Sequence, residues 1–190
     1  MKVCILGNNL TSLSLAKTLI NQGIFVDIFS DDKKKVNYQK SRTIGISKSN
    51  LSFFNKNILD IEKITWKINK IEIYSQNLDD KKILDFEDNG SELFSIFKNY
   101  ELIDYLTTEL SNDKLFKFKK KLSYNELKKK DYKLIFNCDV NHQITKKFFY
   151  KKINKNYDSY AYTTVIKHKK KLNNNTAKQI FTFLGPLAFL

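Results

Sequence analysis

The residues with the clearest chemical potential form a short turn near the start of the chain, Gly7-Asn8-Asn9-Leu10-Thr11-Ser12. The turn follows an apolar run and precedes a stretch in which apolar residues recur with helical spacing. A glycine turn that opens a helix presents backbone N–H groups at the positive end of the helix dipole, where they can bind a phosphate. The chemistry indicated is nucleotide binding.

Three elements in succession position this turn. Residues 2–6 are an apolar run suited to a buried parallel strand. Residues 10–20 have helical spacing, with Asn9, Thr11 and Ser12 available to cap the start and Gly23 to end the helix. Residues 24–29 read as a second strand. The pattern predicts a βαβ unit whose two strands are parallel neighbours.

The rest of the chain alternates helices and strands without a repeat or a Pro/Gly-rich linker. Helical spacing predicts helices at residues 51–55 and 100–110. Strands that return to the first sheet are predicted at residues 114–118 and 133–137. An antiparallel sheet is predicted from residues 66–74, 82–86 and 93–97, and a further antiparallel pair from residues 160–168 and 179–184. We therefore expect an α/β fold in which a second, antiparallel sheet is intertwined with the nucleotide-binding sheet.

The formal net charge of +14 comes almost entirely from lysine, since Arg42 is the only Arg among 34 basic residues. A nucleic-acid surface is expected to use Arg for bidentate contacts, so we expect no nucleic-acid partner. Attraction of lysines to anionic lipid, about 1 kcal/mol each, is the more plausible use of the charge. No apolar run approaches the roughly 20 residues of a membrane helix, and no cleavable signal is present. The expected location is the cytoplasm, with peripheral association with the inner face of the membrane as a further possibility.

The remaining reactive side chains form no catalytic pattern. Cys4 and Cys138 lie in apolar runs without CxxC spacing, which indicates buried free thiols. His142 and His168 are isolated and are interpreted as structural or surface residues. Because the sequence shows no nucleophile–base pair, paired carboxylates or metal cluster, we name no catalytic residue and no metal ligand.

Two separate segments resemble one family. The segment Phe181-Thr182-Phe183-Leu184-Gly185-Pro186-Leu187-Ala188-Phe189-Leu190 resembles the F-x-x-x-G-P-[LI]-A-x-L-P passage of the FAD-dependent aromatic hydroxylases of ubiquinone biosynthesis. Arg42-Thr43-Ile44-Gly45-Ile46-Ser47 resembles the same family's R-[TAS]-[IV]-[AG]-[LI]-[ST] segment, which lies near the flavin. The resemblance implies a Rossmann-like FAD-binding domain over residues 1–150, with strands inserted at about 64–99, and the start of a substrate-binding sheet over residues 151–190.

The sequence departs from the family pattern at the phosphate-binding turn. Only Gly7 of the G-x-G-x-x-G fingerprint is kept. Asn9 stands where a missing side chain lets the backbone approach the pyrophosphate, and Ser12 stands at the helix-packing position. We expect the turn to survive with weakened phosphate contact.

The resemblance implies a set of FAD-binding positions. Ser30 aligns with the family's ribose-binding acid, and we predict that Asp31 takes this role rather than Asp27, which lies within the strand. Asp139 is retained from a D-G-x-x-S segment. The survival of Arg42 in a lysine-rich chain indicates a site that needs a planar guanidinium, and we predict that it faces the Gly7 turn and Asp139. The predicted cofactor-binding residues are Gly7, Asn8, Asn9, Leu10, Thr11, Ser30, Asp31, Arg42 and Asp139.

The function implied is that of an FAD-dependent monooxygenase, which uses NAD(P)H as co-substrate and hydroxylates the ring of a polyprenylated phenol. Contact with a ubiquinone-biosynthesis complex is the implied partnership. The family's second FAD motif, a Gly-Asp pair, would follow residue 190. We therefore expect a C-terminally incomplete chain that neither retains FAD tightly nor hydroxylates. The alternatives are a degenerate, non-catalytic nucleotide-binding protein and a basic interaction protein that binds RNA or lipid.

Overall fold

A computed structural model describes residues 1–30, 40–78, 81–151, 153–166, 169 and 175–190. These residues form eleven strands, five α-helices and two short 3-10 helices, Glu62–Ile64 and Gln76–Leu78. The strands are β1 (Lys2–Leu6), β2 (Phe25–Ser30), β3 (Thr43–Ser47), β4 (Trp66–Ile68), β5 (Lys70–Ser75), β6 (Lys81–Glu87), β7 (Phe94–Lys98), β8 (Phe116–Lys120), β9 (Leu134–Asn137), β10 (Thr176–Thr182) and β11 (Gly185–Phe189). The helices are α1 (Leu10–Asn21), α2 (Lys48–Asn57), α3 (Asn99–Ser111), α4 (Tyr124–Lys128) and α5 (Gln143–Phe148).

The chain divides into two compact units, each assembled from segments that are not consecutive. The first unit comprises Met1–Lys40, Asn57–Leu59 and Tyr100–Thr163. The second comprises Ser41–Lys56, Asp60–Asn99 and Thr164–Leu190. The parallel sheet belongs to the first unit, and two further sheets belong to the second.

The first unit is built on four parallel strands in the order β8-β2-β1-β9. Val3 of β1 pairs with Val26 of β2 on one side and with Leu134 of β9 on the other. The predicted βαβ unit is therefore confirmed, as is the placement of residues 133–137 in the same sheet. The α/β fold expected from the sequence is the fold of this chain.

The two central strands of the parallel sheet, β1 and β2, are buried, as their apolar composition requires. Helix α1 contacts β1 and β2 and buries Leu13, Ala16 and Ile20. On one face, Cys4, Leu6 and Phe29 pack against Leu127 of α4. The helix ends where the sequence predicts, since Gly23 adopts φ +73° and its N–H donates to the Ile20 carbonyl.

The second unit contains a four-stranded sheet, β11-β10-β5-β6, and a three-stranded sheet, β3-β7-β4. The prediction that residues 66–74, 82–86 and 93–97 form one antiparallel sheet is wrong, because these residues are divided between the two sheets. The chain changes sheets at Asn69, whose backbone N–H donates to the Asn175 carbonyl and whose side chain donates to Gly90. The larger sheet is also mixed, because β10 runs parallel to β5 while β6 and β11 are antiparallel to their neighbours.

The predicted strand at residues 160–168 is not present in its described part, since residues 160–166 carry no strand. The expected partner segment lies in β10, which already pairs with β5 on one edge and β11 on the other. A strand has only two hydrogen-bonding edges, so no edge of β10 remains for residues 160–166. Residues 167 and 168 lie outside the described part of the chain.

None of the described helices has the length and apolar character needed to cross a membrane.

Candidate functional site

The described site residues that the sequence predicts in the first unit lie at the carboxyl ends of its four parallel strands. These ends are Leu6, Ser30, Lys120 and Asn137. Strand order places β2 and β8 on one side of β1 and β9 on the other, so the order reverses between β1 and β9. In open α/β sheets, ligands bind outside the carboxyl ends at such a switch point. Gly7 follows β1 directly at this point.

Gly7 is required by the close approach of the chain that leaves β9. It adopts φ +105°, a conformation that favours glycine, and its N–H donates to the Phe29 carbonyl at 2.9 Å. A Cβ here would lie 3.2 Å from both the Asp139 nitrogen and the Cys138 carbonyl carbon. Because these neighbours are backbone atoms, they cannot rotate away, and the site at the β1–β9 crevice depends on the missing side chain.

Asn9 caps helix α1 with both polar atoms of its side chain engaged. Its Oδ1 accepts from the Ser12 N–H at 3.0 Å, and the Ser12 hydroxyl accepts from the Asn9 N–H at 2.8 Å. Its Nδ2 donates to the Cys138 carbonyl at 2.7 Å, across 129 positions of sequence. The residue thus joins the start of α1 to the end of β9.

Two backbone donors remain at the start of α1. Within the described part of the chain, the N–H groups of Leu10 and Thr11 have no hydrogen-bond acceptor, and the Thr11 residue is exposed. Unpaired donors in the first turn of a helix, together with the helix dipole, are suited to an anion. Asn8 is half-buried beside them.

The predicted ribose-binding positions are only partly described. Ser30 is the last residue of β2, half-buried, and its carbonyl accepts from the Lys121 N–H at 3.1 Å. Asp31 lies outside the described residues, so its role stays a prediction. Asp27 is buried at mid-strand with 2% exposure, which separates it from the carboxyl edge where a ribose would lie.

Asp139 sits in a loop that is held from several sides. Its Oδ1 accepts from the Asn141 N–H at 2.9 Å, and its Oδ2 lies 3.5 Å from the Lys121 ammonium. The Thr145 hydroxyl donates to the Asp139 carbonyl at 2.8 Å, and the Asp139 N–H donates to Asn137 Oδ1 at 3.2 Å. The carboxylate is therefore placed at the carboxyl edge, with a lysine as its counter-ion.

His142 is a structural residue of the same loop, buried to 1% exposure. It caps α5, since its Nδ1 accepts from the Ile144 N–H at 3.2 Å. Its Nε2 lies 3.3 Å from the Leu122 carbonyl, which fits a proton on Nε2. Both ring nitrogens are thus used by backbone groups. His168 lies outside the described residues.

Arg42 belongs to the second unit and precedes β3. The residue is exposed, and its carbonyl accepts from the Asn99 N–H at 3.0 Å. The prediction that its guanidinium faces the Gly7 turn and Asp139 of the first unit stays a prediction.

An ionic cluster inside the parallel sheet was not foreseen from the sequence. The buried Asp27 carboxylate accepts from the Tyr132 hydroxyl at 2.5 Å and lies 3.0 Å from the Lys2 ammonium and 2.7 Å from that of Lys119. Burial acts to raise the pKa of Asp27, but the hydrogen bonds from Lys119, Tyr132 and Lys2 outweigh it and hold the pKa below its ordinary value. Burial and the bond to Asp27 raise the pKa of the Tyr132 hydroxyl. The sequence signal for this cluster was the acidic residue Asp27 within an otherwise apolar strand.

The first turn of α1 can bind one phosphate group, whereas the Asn9 side chain obstructs the binding of a pyrophosphate. The N–H groups of Leu10 and Thr11 suit an anion, and Gly7 allows the backbone to pass close to β9. The Asn9 side chain, however, occupies the place that a glycine would leave open. Among the described residues, no three His, Cys, Asp or Glu side chains are grouped so as to hold a metal ion.

No protein-family model and no curated protein matches this chain. Solved structures do match it. PqsL of Pseudomonas aeruginosa, described as a probable FAD-dependent monooxygenase, superimposes with a TM-score of 0.59 at 10% identity and covers 81% of this chain and 46% of its own. The p-nitrophenol 4-monooxygenase PnpA of Pseudomonas putida gives 0.52 at 12% identity, covering 62% of this chain and 31% of its own.

A third match is the 2-methyl-3-hydroxypyridine-5-carboxylic acid oxygenase, with a TM-score of 0.51 at 16% identity, which covers 63% of this chain and 31% of its own. The chain thus spans less than half the length of these structures. At such identities the likeness is one of fold, and the chain has the fold of part of an FAD-dependent monooxygenase.

Proposed function

We propose that the chain is the nucleotide-binding part of an FAD-dependent monooxygenase and that FAD binds at the carboxyl edge of its parallel sheet. The observation that carries the proposal is the placement of the Gly7 turn and the start of α1 at the switch point between β1 and β9. This is where the physics of open α/β sheets favours a dinucleotide. The fold shared with monooxygenases supports the same assignment.

The residues of the edge contribute to the proposed site in different ways. The N–H groups of Leu10 and Thr11 bind a phosphate, and Gly7 keeps the turn close to β9. Ser30 ends β2, where a ribose hydroxyl is bound in dinucleotide folds. Asp31 follows Ser30 in the sequence and is proposed to bind that hydroxyl. Asp139, Asn8 and Asn9 border the same crevice. The role predicted for Arg42, a residue of the second unit, stays a prediction.

FAD, when bound, supplies the redox chemistry by taking electrons from NAD(P)H and delivering them to O₂. The substrate proposed is an aromatic ring, because two of the matching structures are a p-nitrophenol 4-monooxygenase and a hydroxypyridine carboxylic acid oxygenase. The finer proposal, from the resemblance of residues 42–47 and 181–190 to ubiquinone-biosynthesis hydroxylases, is a polyprenylated phenol.

A charge placed at the first turn of α1 tests the binding site. The change Thr11→Asp puts a carboxylate beside the proposed phosphate and should weaken FAD binding about tenfold or more, since like charges a few ångströms apart repel by about 1 to 3 kcal/mol at the protein surface. The same change favours the helix dipole, so the fold should be kept or slightly stabilised. FAD affinity is measured by quenching of flavin fluorescence, and stability by circular dichroism in urea.

Gln22→Glu is the matched control. It adds the same charge at an exposed residue beyond the opposite end of α1, so FAD affinity should stay within about twofold of the unchanged protein. Equal affinities for FAD in Thr11→Asp and Gln22→Glu would remove the proposed site. Absence of any FAD binding to the unchanged chain would refute the proposed function.

A second candidate, a nucleotide-binding protein without catalysis, is favoured by one observation: the Asn9 side chain stands in the phosphate-binding turn. The two candidates differ in electron transfer. An enzyme with FAD bound should lose flavin absorbance when NADH or NADPH is added without oxygen. With air and a prenylated phenol it should add one oxygen atom to the ring, which mass spectrometry detects. A bound flavin that NADH and NADPH leave oxidised favours the second candidate.

A further inference from the structure

Asn9 is the residue at which this chain departs most from an open phosphate site. Its Oδ1 lies 3.0 Å from the Ser12 nitrogen, and its Nδ2 lies 2.7 Å from the Cys138 oxygen. The side chain therefore crosses the crevice between β1 and β9 and is hydrogen-bonded on both sides. Residue 9 is itself exposed, so the bridge lies at the mouth of the crevice.

The bridge changes which groups the turn offers to an anion. The Ser12 N–H is taken by Asn9 Oδ1, and the Asn9 N–H is taken by the Ser12 hydroxyl. An amide oxygen carries negative partial charge, so at the helix start it occupies the place that a phosphate oxygen would take. Only the N–H groups of Leu10 and Thr11 stay open within the described part of the chain.

The bridge cannot move aside without loss. A Cβ at Gly7 would lie 3.2 Å from backbone atoms of Cys138 and Asp139, so the turn runs close to the end of β9. Rotating the Asn9 side chain outward would break its bond to Cys138 and uncap the Ser12 N–H. Each hydrogen bond lost opposes ligand binding.

We infer that Asn9 is an internal competitor of the FAD pyrophosphate, which lowers the affinity of the site by holding the β1–β9 crevice closed. The inference rests on the proposed function. It attributes to Asn9 alone the weak FAD binding that the altered fingerprint predicts. The affinity is then set by the Asn9–Cys138 contact and not by a loss of the fold.

The change Asn9→Ser separates the bridge from the cap. Serine caps a helix about as well as asparagine, but its short side chain cannot reach the Cys138 carbonyl. FAD should bind about threefold to tenfold more tightly, because its binding no longer breaks the Asn9–Cys138 hydrogen bond. The net free energy of one hydrogen bond corresponds to a factor of this size. Asn9→Gly serves as a second variant, since glycine costs only a few tenths of a kcal/mol as a cap and leaves the crevice fully open.

Asn9→Asp is the matched control, because it keeps the cap, cannot donate to Cys138 and adds a negative charge. It should bind FAD more weakly than the unchanged chain. Riboflavin, which has no phosphate, is the control ligand, and its affinity should be the same in all four proteins. A role of Asn9 in folding alone would alter urea stability but would not alter FAD affinity relative to riboflavin affinity.

The outcomes are distinct. Tighter FAD binding by Asn9→Ser or Asn9→Gly, with riboflavin unchanged, supports the inference. Equal FAD affinities in the unchanged chain and both variants overturn the inference and leave the proposed function standing. If the unchanged chain does not bind FAD, the proposed function fails and the inference fails with it.

Discussion

Replacement of Asp27 by Asn tests the ionic cluster inside the parallel sheet. The carboxylate is 3% exposed and accepts from Tyr132, Lys119 and Lys2 at 2.5, 2.7 and 3.0 Å. The amide keeps an oxygen for Tyr132 but turns an NH₂ group toward one or both ammonium groups. We therefore expect loss of the two charge-assisted bonds, which contribute roughly 1.5 to 3 kcal/mol each when the partners are well buried.

The expected cost is reduced by the exposure of the lysines. The side chains of Lys2 and Lys119 are 45% and 36% exposed, so both ammonium groups can return to water when the carboxylate is removed. The full penalty for an abandoned buried charge, about 3 to 5 kcal/mol, therefore does not apply. We expect Asp27→Asn to lower the free energy of unfolding by about 2 to 3 kcal/mol at pH 7.

The pH dependence follows from the direction of the pKa shift. The pKa of Asp27 is lower in the folded protein than the value of about 4 in the unfolded chain, so folding favours the carboxylate. Its contribution is fully present above about pH 4 and is lost as the pH falls through the folded pKa. The difference between the unchanged protein and Asp27→Asn should be constant from pH 7 to about pH 5 and should shrink in stronger acid.

Urea unfolding followed by circular dichroism measures these differences without adding screening salt. Asp131→Asn is the control, because Asp131 is exposed and the charge change is the same; its effect should stay below about 0.5 kcal/mol. A stability loss no greater than that of the control would refute the reasoning. So would a difference at pH 3 as large as the difference at pH 7.

Two further predictions concern the same unit. Gly7→Ala should lower the free energy of unfolding by about 2 to 4 kcal/mol, because a Cβ meets backbone atoms at 3.2 Å in a left-handed conformation. Gly23→Ala, with φ +73° and no atom within 4 Å of the added Cβ, should cost only about 1 kcal/mol, and equal losses in urea unfolding would contradict the steric account. Burial, together with the negative charge of Asp27, raises the pKa of the Cys4 thiol to about 12 although Lys119 acts in the opposite direction. In a Cys138→Ser variant, Cys4 should therefore react with a disulfide reagent at pH 8 only as fast as the protein unfolds, and immediate labelling would show that the thiol is accessible.

Local patterns in the sequence were sufficient to predict the βαβ unit. Residues 2–6, the Gly7 turn and the helical spacing after Asn9 each act over a few positions, and period and capping are properties of neighbouring residues. The same reasoning predicted that residues 133–137 return to the sheet, which β9 confirms. The sequence also predicted that the turn binds a phosphate, and this stays a prediction, as do the FAD-binding residues.

Pairing between distant segments required the tertiary structure. The apolar pattern of residues 160–166 is compatible with a strand, but β10 has both edges occupied by β5 and β11. Whether an edge is open depends on every other strand of the sheet, and no local window of sequence contains that information. The division of the second unit into two sheets at Asn69 has the same origin.

The long-range contacts of the two most informative side chains of the first unit likewise required the tertiary structure. From the sequence, Asn9 was a replaced glycine and one of three possible caps, with Thr11 and Ser12, whereas its bond to Cys138 joins residues 129 positions apart. Asp27 was known as an acid in an apolar strand, and only the folded sheet brings Lys2, Lys119 and Tyr132 to it. The sequence by itself determined the βαβ unit and the types of residue in its turn. The tertiary structure decided which distant groups meet there, because hydrogen bonds and ion pairs depend on distances in space rather than along the chain.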